Sequence, residues 1–351
     1  MTAKRLRVAI AGASGYTGLE LLRLLSRHPS MEVVRATGDR AVGDRLTDHH
    51  PSLGGAYGDL VFEPLDPGAV GRGVDAVFLA LPHTATMSVV PELLRSGARV
   101  IDLSADFRLR DAALYDTWYK TTHTAPALLA EAVYGLPELH RDRIRKAQLV
   151  AVPGCYPTAA ILAAAPLLRA RAVTPDSLVV DAKSGISGAG RKVELTYLFT
   201  EADGGVAPYN VGVHRHTPEI EQELSGVAGS PVRVSFTPHL VPMSRGLLTT
   251  VYASAASPTS RDDLAAAFET FYADSPAVRV LPANRWPATQ HVRGSNRCDI
   301  GLTVDPRVGR VVVASAIDNL VKGASGGAIQ CANLALGLPE TAGLDAPALF
   351  P

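Results

Sequence analysis

Cysteine is scarce in this chain: there are 3 among 351 residues, widely spaced and odd in number. Such a set forms no disulfide framework and points to a reducing compartment, so a cytoplasmic protein is expected. An excess of one charge is also missing. Lys and Arg total 34 against 34 Asp and Glu, and no block of like charge occurs. That balance argues against nucleic acid or an anionic membrane as the main partner. No apolar run reaches the roughly 18 residues of a membrane-spanning helix. The start, Met1-Thr2-Ala3-Lys4-Arg5-Leu6-Arg7, looks like the basic region of a signal peptide, but the apolar stretch behind it, residues 8–11, is short and runs into glycines. It reads as a first strand. Internal repeats, low-complexity tracts and Gly/Ser linkers are absent as well. What the chain does have is 47% hydrophobic and 19% charged residues, enough for a large core, and a length that suggests about two domains.

Apolar, β-branched runs at 6–11, 32–37, 74–81 and 99–103 alternate with helical patterns at 19–26 and 87–95. Strands alternating with helices predict βαβ units and a parallel sheet. Beyond residue 155 the pattern changes. Strand-like runs at 177–182, 232–237, 246–253, 278–281, 299–304 and 310–316 follow one another with short gaps, with one helix at 262–272. The predicted fold is therefore α/β: an N-terminal Rossmann-type parallel-sheet domain over residues 1–154, and a second α+β domain on a mostly antiparallel sheet over 155–319. A last helix, about 325–336, is stopped by Gly337 and Pro339. The segment 320–351 is expected to pack back on the first domain.

Gly12-Ala13-Ser14-Gly15-Tyr16-Thr17-Gly18 follows the first strand and opens a helix. This is the setting of a dinucleotide-binding turn, where glycines let the backbone approach a pyrophosphate and a helix N-terminus receives its charge. After the second strand the chain reads Thr37-Gly38-Asp39-Arg40. Asp39 favours the 2′-hydroxyl of NAD and Arg40 the 2′-phosphate of NADP, so these residues alone leave the choice open.

The run 148–152 leads into Pro153-Gly154-Cys155-Tyr156-Pro157-Thr158, and an Ala-rich apolar stretch leads out. This reads as strand, tight turn and helix, with Pro157 in the first helical turn. Cys155 then sits at a helix N-terminus, where the dipole favours thiolate over thiol. Its alternatives are a nucleophile and a half-buried structural cysteine. Cys298, Cys331 and His49-His50 are read as structural.

In Gly212-Val213-His214-Arg215-His216-Thr217-Pro218-Glu219, Thr217 is the predicted N-cap of a helix. His214 and His216 are expected on one side of an extended stretch just before it. They could serve as proton carriers for Cys155 or as a solvated loop pair, and no third ligand suggests a metal. Lys183-Ser184-Gly185-Ile186-Ser187-Gly188-Ala189-Gly190-Arg191 leaves a strand with donors and flexible backbone that suit an anion, though a plain surface loop would read the same. Asp102-Leu103-Ser104-Ala105-Asp106-Phe107-Arg108 ends a strand where ligands of parallel sheets bind. Asn319, in Asp318-Asn319-Leu320-Val321-Lys322-Gly323, could bond a ligand amide or cap a turn.

A nicotinamide cofactor, an activated cysteine and a histidine together suggest reduction of an activated acyl group through a thioester. These same blocks, with Leu81-Pro82-His83, resemble in order and over nearly the whole chain the N-acetyl-γ-glutamyl-phosphate reductase family of arginine biosynthesis. The resemblance implies NADPH-dependent reduction of N-acetyl-γ-glutamyl phosphate to N-acetylglutamate 5-semialdehyde and phosphate. It implies Cys155 as nucleophile and the His214/His216 pair as acid/base, with His214 favoured. The cofactor, NADP(H), is expected at Gly12, Ser14, Gly15, Tyr16, Thr17, Gly18, Arg40, Leu81, Pro82, His83 and Asn319. The acyl phosphate is expected at Arg108, Ser184, Gly185 and Arg191. A homo-oligomer, dimer or tetramer, is also implied. One departure concerns Gly38-Asp39-Arg40, where the family often has Ser-Arg or Arg-Arg, so NADP preference rests on Arg40. A sister group that reduces a carrier-linked aminoadipyl phosphate in lysine synthesis tends to read Gly-Cys-Asn-Ala-Thr, unlike Gly-Cys-Tyr-Pro-Thr here. Aspartate-semialdehyde dehydrogenase shares the plan without these motifs. Readings of another class are a non-catalytic NADP-binding redox regulator and a Cys–His hydrolase.

Overall fold

The computed structural model of the chain describes residues 5–350. They form two compact units: residues up to Pro153 together with Ala324–Ala346, and Gly154–Gly323 together with the residues from Pro347 on.

The first unit is built on seven strands: β1 (Leu6–Ala11), β2 (Met31–Thr37), β3 (Phe62–Glu63), β4 (Ala76–Leu79), β5 (Arg99–Asp102), β6 (Val133–Tyr134) and β7 (Leu149–Ala151). Their order is β3-β2-β1-β4-β5-β7-β6, with every pairing parallel. Residues 8–11 and 76–79 are wholly buried, as central parallel strands covered on both faces must be. The winding direction reverses between β1 and β4. At such a switch point the strand ends splay and leave a crevice.

The helix Gly326–Ala335 completes this unit, and all its residues are buried. Ser325 Oγ donates to Thr17 O at 2.9 Å, and Cys331 Sγ reaches Gly135 O at 3.1 Å. The amide of Asn333 is the firmest tie. Its Nδ2 donates to the carbonyls of Glu340 and Ala342, while its Oδ1 lies 3.0 Å from His28 Nε2. The predicted return segment is thus shorter at both ends than 320–351. Residues 320–323 and those from Pro347 on belong to the second unit, where Leu349 N donates to Arg293 O.

The second unit also has seven strands: β8 (Leu178–Gly185), β9 (Ala207–Pro208), β10 (Val234–Val241), β11 (Leu247–Ser254), β12 (Val278–Val280), β13 (Cys298–Asp305) and β14 (Arg310–Ile317), in the order β12-β13-β14-β11-β8-β10-β9. Four pairings are antiparallel, but β8–β10 and β12–β13 are parallel, so the sheet is mixed. β11 alternates buried and half-buried along its length, the period-2 signature of one covered face. The cover includes the helix Cys155–Arg169, buried at every position from Tyr156 to Leu168. Its alanines let it lie close on the strands, and Ser315 Oγ of β14 donates to Ala159 O at 2.9 Å. Register places Ser184, Leu247 and Ile317 side by side across β8, β11 and β14. They mark the sheet end where the chemistry-bearing loops gather.

Asn333→Ala should strip one buried and two part-buried groups of their partner and lower the unfolding free energy by roughly 2–4 kcal/mol. Urea denaturation measures this, and a loss below about 0.5 kcal/mol would contradict the assigned role.

Candidate active site

In the first unit the glycine turn has the form expected of a phosphate cradle. Gly12 has φ +87°, and a Cβ there would collide with the carbonyl of Ala80. Gly18 lies against the backbone of Gly12 and Ala13 so closely that no side chain fits. Both glycines are demanded by the fold itself. Gly15 is different, because a Cβ there would meet only Gly12 O, at 3.8 Å, with ordinary φ. Packing does not require glycine at this N-cap of the helix Tyr16–Leu25, and the open space suits the approach of a pyrophosphate. Thr37, at the end of β2, steadies the turn: its Oγ1 accepts Gly12 N at 3.1 Å and its carbonyl accepts Ala13 N at 2.8 Å. His50, read as structural, adds a ring nitrogen 3.2 Å from Ala13 O. Ser14 and Thr17 are half-buried on the turn, and Tyr16 and Arg40 are exposed.

At the ends of β4 and β5 sits a buried acidic network that sequence reading left unassigned. Asp106 accepts the backbone N–H groups of Thr84, Thr86 and Met87, at 2.6, 2.9 and 3.3 Å. It thereby caps the helix Thr86–Arg95 and holds Thr84 at φ +72°, an uncommon backbone for a threonine. Asp102 accepts Ser104 N, Ser104 Oγ and Thr86 Oγ1. Ala105 N donates to His83 Nδ1 at 3.0 Å, which puts the neutral ring's proton on Nε2. Leu81 and His83 are half-buried and Pro82 exposed. Arg108 is buried, donating to the carbonyls of Val152 and Leu103 at 2.7 and 2.8 Å. Burial, then the neighbouring Asp106 carboxylate, push the Asp102 carboxyl up to about 7.

In the second unit Cys155 is the first residue of its helix and is half-buried. The helix N-cap is Gly154, and its N–H donates to the carboxylate of fully buried Glu219 at 3.0 Å. Behind the thiol runs the turn 318–323. A Cβ on Gly323 would stand 2.7 Å from Cys155 Cβ, so only glycine fits. Gly323 lies in a π-helical turn, Val321–Ser325, a form that recurs at functional sites. Asn319 bridges two loops of this sheet end: its Oδ1 accepts Gly246 N at 2.8 Å, and its Nδ2 donates to Ser187 Oγ at 2.9 Å.

Tyr156 organises the histidines. Its ring meets those of His214, His216 and Phe236 edge-on, with centroids 5.7, 6.0 and 5.4 Å away. Its hydroxyl donates to His239 O at 3.0 Å and accepts from Tyr209 at 3.2 Å. Burial, then Tyr209, raise its phenol far above the ordinary value, so it stays neutral. The two histidine rings lie 4.8 Å apart, but the stretch is a turn and not extended: His216 has helical backbone angles, φ -81° and ψ -12°, and Thr217 N donates to His214 O at 2.9 Å. The helix Thr217–Ala228 begins one residue earlier than a Thr217 cap would place it: His216 occupies the N-cap, and Thr217 is the first helical residue. Pro218 therefore takes the second position, which its missing N–H permits. His214 is buried, and its Nδ1 accepts His216 N at 3.1 Å. Burial, then Arg215, lower its pKa to about 4.

Of the residues singled out in the sequence, Cys155, Ser184, Gly185, His214, His216 and Asn319 thus share one end of the second unit's sheet. Arg191 is exposed in the loop beyond Gly190. Tyr209, Phe236 and Arg245 carried no sequence signal, while Glu219 and Gly323 lay inside quoted motifs without an assigned role. Among the described residues no cluster of His, Cys, Asp and Glu could hold a metal ion, and no helix is long and apolar enough to cross a membrane.

Residues 7–147 match the semialdehyde dehydrogenase NAD binding domain, and residues 155–319 match the semialdehyde dehydrogenase dimerisation domain. The N-acetyl-gamma-glutamyl-phosphate reductase of Geobacter sp. (strain M21) is 55% identical over 347 residues, covering 99% of this chain and 100% of its own length. That of Symbiobacterium thermophilum is 56% identical over 340 residues, 97% of each. The chain belongs to the N-acetyl-gamma-glutamyl-phosphate reductase family. Among solved structures, aspartate semialdehyde dehydrogenase II from Vibrio cholerae, complexed with ASA, matches with a TM-score of 0.72 at 17% identity, covering 95% of this chain and 99% of that one. The aspartate semialdehyde dehydrogenase with NADP from Candida albicans gives 0.71 at 16%, covering 94% and 98%. These likenesses bear out the fold class, a parallel-sheet unit followed by a mixed-sheet unit.

Two outcomes are expected. Gly15→Ala should leave thermal stability within about 0.5 kcal/mol of wild type yet weaken NADPH binding in a fluorescence titration, whereas Gly12→Ala should destabilise the fold by several times that. Unchanged NADPH affinity in Gly15→Ala would count against the cradle. The second concerns Asp102. Its folded pKa lies above the unfolded one, so the folded state holds a proton that the unfolded state has lost between pH ~4 and ~7. Stability from this group therefore falls as pH rises through that window. Asp102→Asn should remove the fall, and its stability relative to wild type should improve from pH 5 to pH 8 in urea melts.

Proposed function

We propose that this protein reduces N-acetyl-γ-glutamyl phosphate with NADPH to N-acetylglutamate 5-semialdehyde and phosphate, the step that the relatives' name describes, within arginine biosynthesis. The observation that carries this reading is Cys155, the first residue of a helix otherwise buried from Tyr156 to Leu168, in a chain that aligns with those reductases over nearly its full length.

Cys155 Sγ attacks the acyl carbon, and the C–O bond to phosphate breaks. The product is a thioester on Cys155, and the phosphate leaves with its bonding pair. NADPH supplies the hydride that reduces this thioester. The resulting hemithioacetal collapses, expelling the Cys155 thiolate and releasing the aldehyde. The one proton consumed ends on phosphate, and a histidine handles it. We assign that task to His216 and positioning to His214. His214 spends its Nδ1 on the His216 backbone N–H, and burial opposes its becoming charged. Half-buried His216 sits beside it at the helix start. Glu219 fixes Gly154, and Gly323 fixes Cys155 from behind. NADP(H) is assigned to the turn 12–18, where the open position at Gly15 suits a pyrophosphate, with exposed Arg40 toward a 2′-phosphate and the Leu81-Pro82-His83 turn beside the nicotinamide. Ser184, Gly185, Arg108 and Arg191 remain assigned to substrate.

We further assign the protein to the cytoplasm, in keeping with cysteines that are few, odd in number and widely spaced, and to a homo-oligomer. The match of 155–319 to a dimerisation domain supports the latter, as do exposed apolar side chains at Val193, Leu195, Phe199 and Val213.

Phosphate-dependent reduction of NADP+ by N-acetylglutamate semialdehyde tests the reading in the reverse direction. Cys155→Ser should abolish turnover while retaining NADPH binding. His216→Asn should lower kcat/KM by roughly 10²–10⁴-fold, and His214→Asn by less. Turnover in Cys155→Ser equal to wild type would end the thioester mechanism, and NADPH binding without any turnover in wild type would favour the redox regulator.

A further inference from the structure

The substrate carries a second anion besides its phosphate, the α-carboxylate, three carbons away from the reacting carbonyl. No role assigned so far accounts for its recognition. Among basic side chains of the second unit, Lys183 is placed wrongly. It pairs with Asp181 at 2.5 Å, and alternation along β8 puts it on the face opposite Ser184. Arg191 and Arg215 are exposed in loops.

Arg245 is placed differently. It lies in the short connection between β10 and β11, against the end of β8. Ile186 N donates to Met243 O at 3.0 Å, Ser187 N to Ser244 O at 3.3 Å, and Gly185 N to Gly246 O at 2.9 Å. A Cβ on Gly185 would reach Arg245 N at 3.1 Å. Its side chain is three-quarters covered, and the guanidinium bonds Asp318 Oδ2 through Nη1 at 3.2 Å. Asp318 is itself fully buried and held from several sides. Its Oδ2 accepts Gly294 N at 2.7 Å, and its Oδ1 accepts Leu320 N and Val321 N at 2.8 and 3.1 Å. Its charge is thus shared with three backbone donors, and it anchors the arginine without being devoted to it. The same turn continues to Gly323, whose N–H donates to Asp318 O at 3.0 Å and whose Cα backs Cys155. The nucleophile's support and the guanidinium's anchor are therefore two ends of one six-residue turn, and Asn319 between them ties Gly246 to Ser187.

We propose that Arg245 binds the substrate's α-carboxylate and thereby selects acyl phosphates of N-acylated α-amino acids over those lacking the acid group. This rests on the function proposed above. A planar guanidinium gives two parallel N–H donors to a carboxylate, and a lysine cannot reproduce that fork. The Asp318 contact sets the plane before substrate arrives, so little ordering is left to do on binding.

The experiment compares N-acetylglutamate semialdehyde with 4-acetamidobutanal, the same aldehyde without the carboxylate, in the phosphate- and NADP+-dependent direction. Wild type should favour the former in kcat/KM by roughly ten- to a hundredfold. Arg245→Gln should raise KM for N-acetylglutamate semialdehyde by a similar factor and lose the preference, with KM for phosphate and the Kd of NADP+ unchanged. Arg245→Lys should keep only part of the preference, and it serves as the second variant if Arg245→Gln folds poorly by thermal melt. A rise confined to KM for phosphate would overturn the assignment in favour of a phosphate site, and a preference retained in Arg245→Gln would overturn it outright. Absence of turnover in wild type with either aldehyde would instead refute the reaction itself.

Discussion

Cys155 has no space behind it. Gly323 presses its Cα against the cysteine, and a single added methyl would stand 2.7 Å from Cys155 Cβ. Much else at this sheet end follows from that contact. The turn from Asp318 must bend sharply enough to bring Gly323 there, so Asp318 is buried and accepts backbone N–H groups on either side. The helix that carries the cysteine must start at a fixed point, so Gly154 is its N-cap and Glu219 takes the N–H of that residue. The helix must also lie low on β11 and β14, which is why its inner positions are alanines and why Ser315 can reach Ala159 O. A nucleophile held from behind and below has few directions in which to move, and that is what positioning for attack requires.

Tyr156, next in sequence, is the second constraint. It is a neutral phenol, buried, bonded at its hydroxyl on two sides and ringed by aromatic edges. Both histidine rings pack edge-on against this ring, and the His216 backbone N–H sets the tautomer of His214.

Much of this was legible in the sequence because it depends on local rules. The glycine turn after β1, the strand–turn–helix at Cys155 and the alternation of strands and helices up to residue 153 are all short-range patterns. The second sheet reads as mostly antiparallel, and four of its six pairings are. The parallel pairing of β8 with β10 escaped because a crossover through the helix Thr217–Ala228 leaves no turn signature to reveal it. The cap at His216 instead of Thr217 has a similar origin. Ser and Thr are good caps in isolation, but ring packing on Tyr156 accompanies His216 at that position. Arg245, and the bonds that tie the Asp102–Asp106 block to residues 84–87, were hidden for a different reason. These partners lie 73 and 16–22 residues away in the chain, and nothing in composition or periodicity records such distances. Gly15 shows the converse: its local spacing suggested a ligand, and only the room left beside it distinguishes that from an ordinary turn.

The helix Gly326–Ala335 has a consequence for the order in which the molecule is made. It fills the core of the first unit, with Asn333 meeting His28 across 305 positions of sequence. Translation delivers residues 5–153 before this helix, and their sheet lacks it until residues 326–335 have left the ribosome. The stretch 154–323, which contains most of the second unit, emerges in one piece and can close earlier. The usual N-to-C sequence of domain folding during synthesis is then reversed here. The nascent N-terminal half would expose apolar sheet surface for the whole interval, and would be the part most dependent on chaperones.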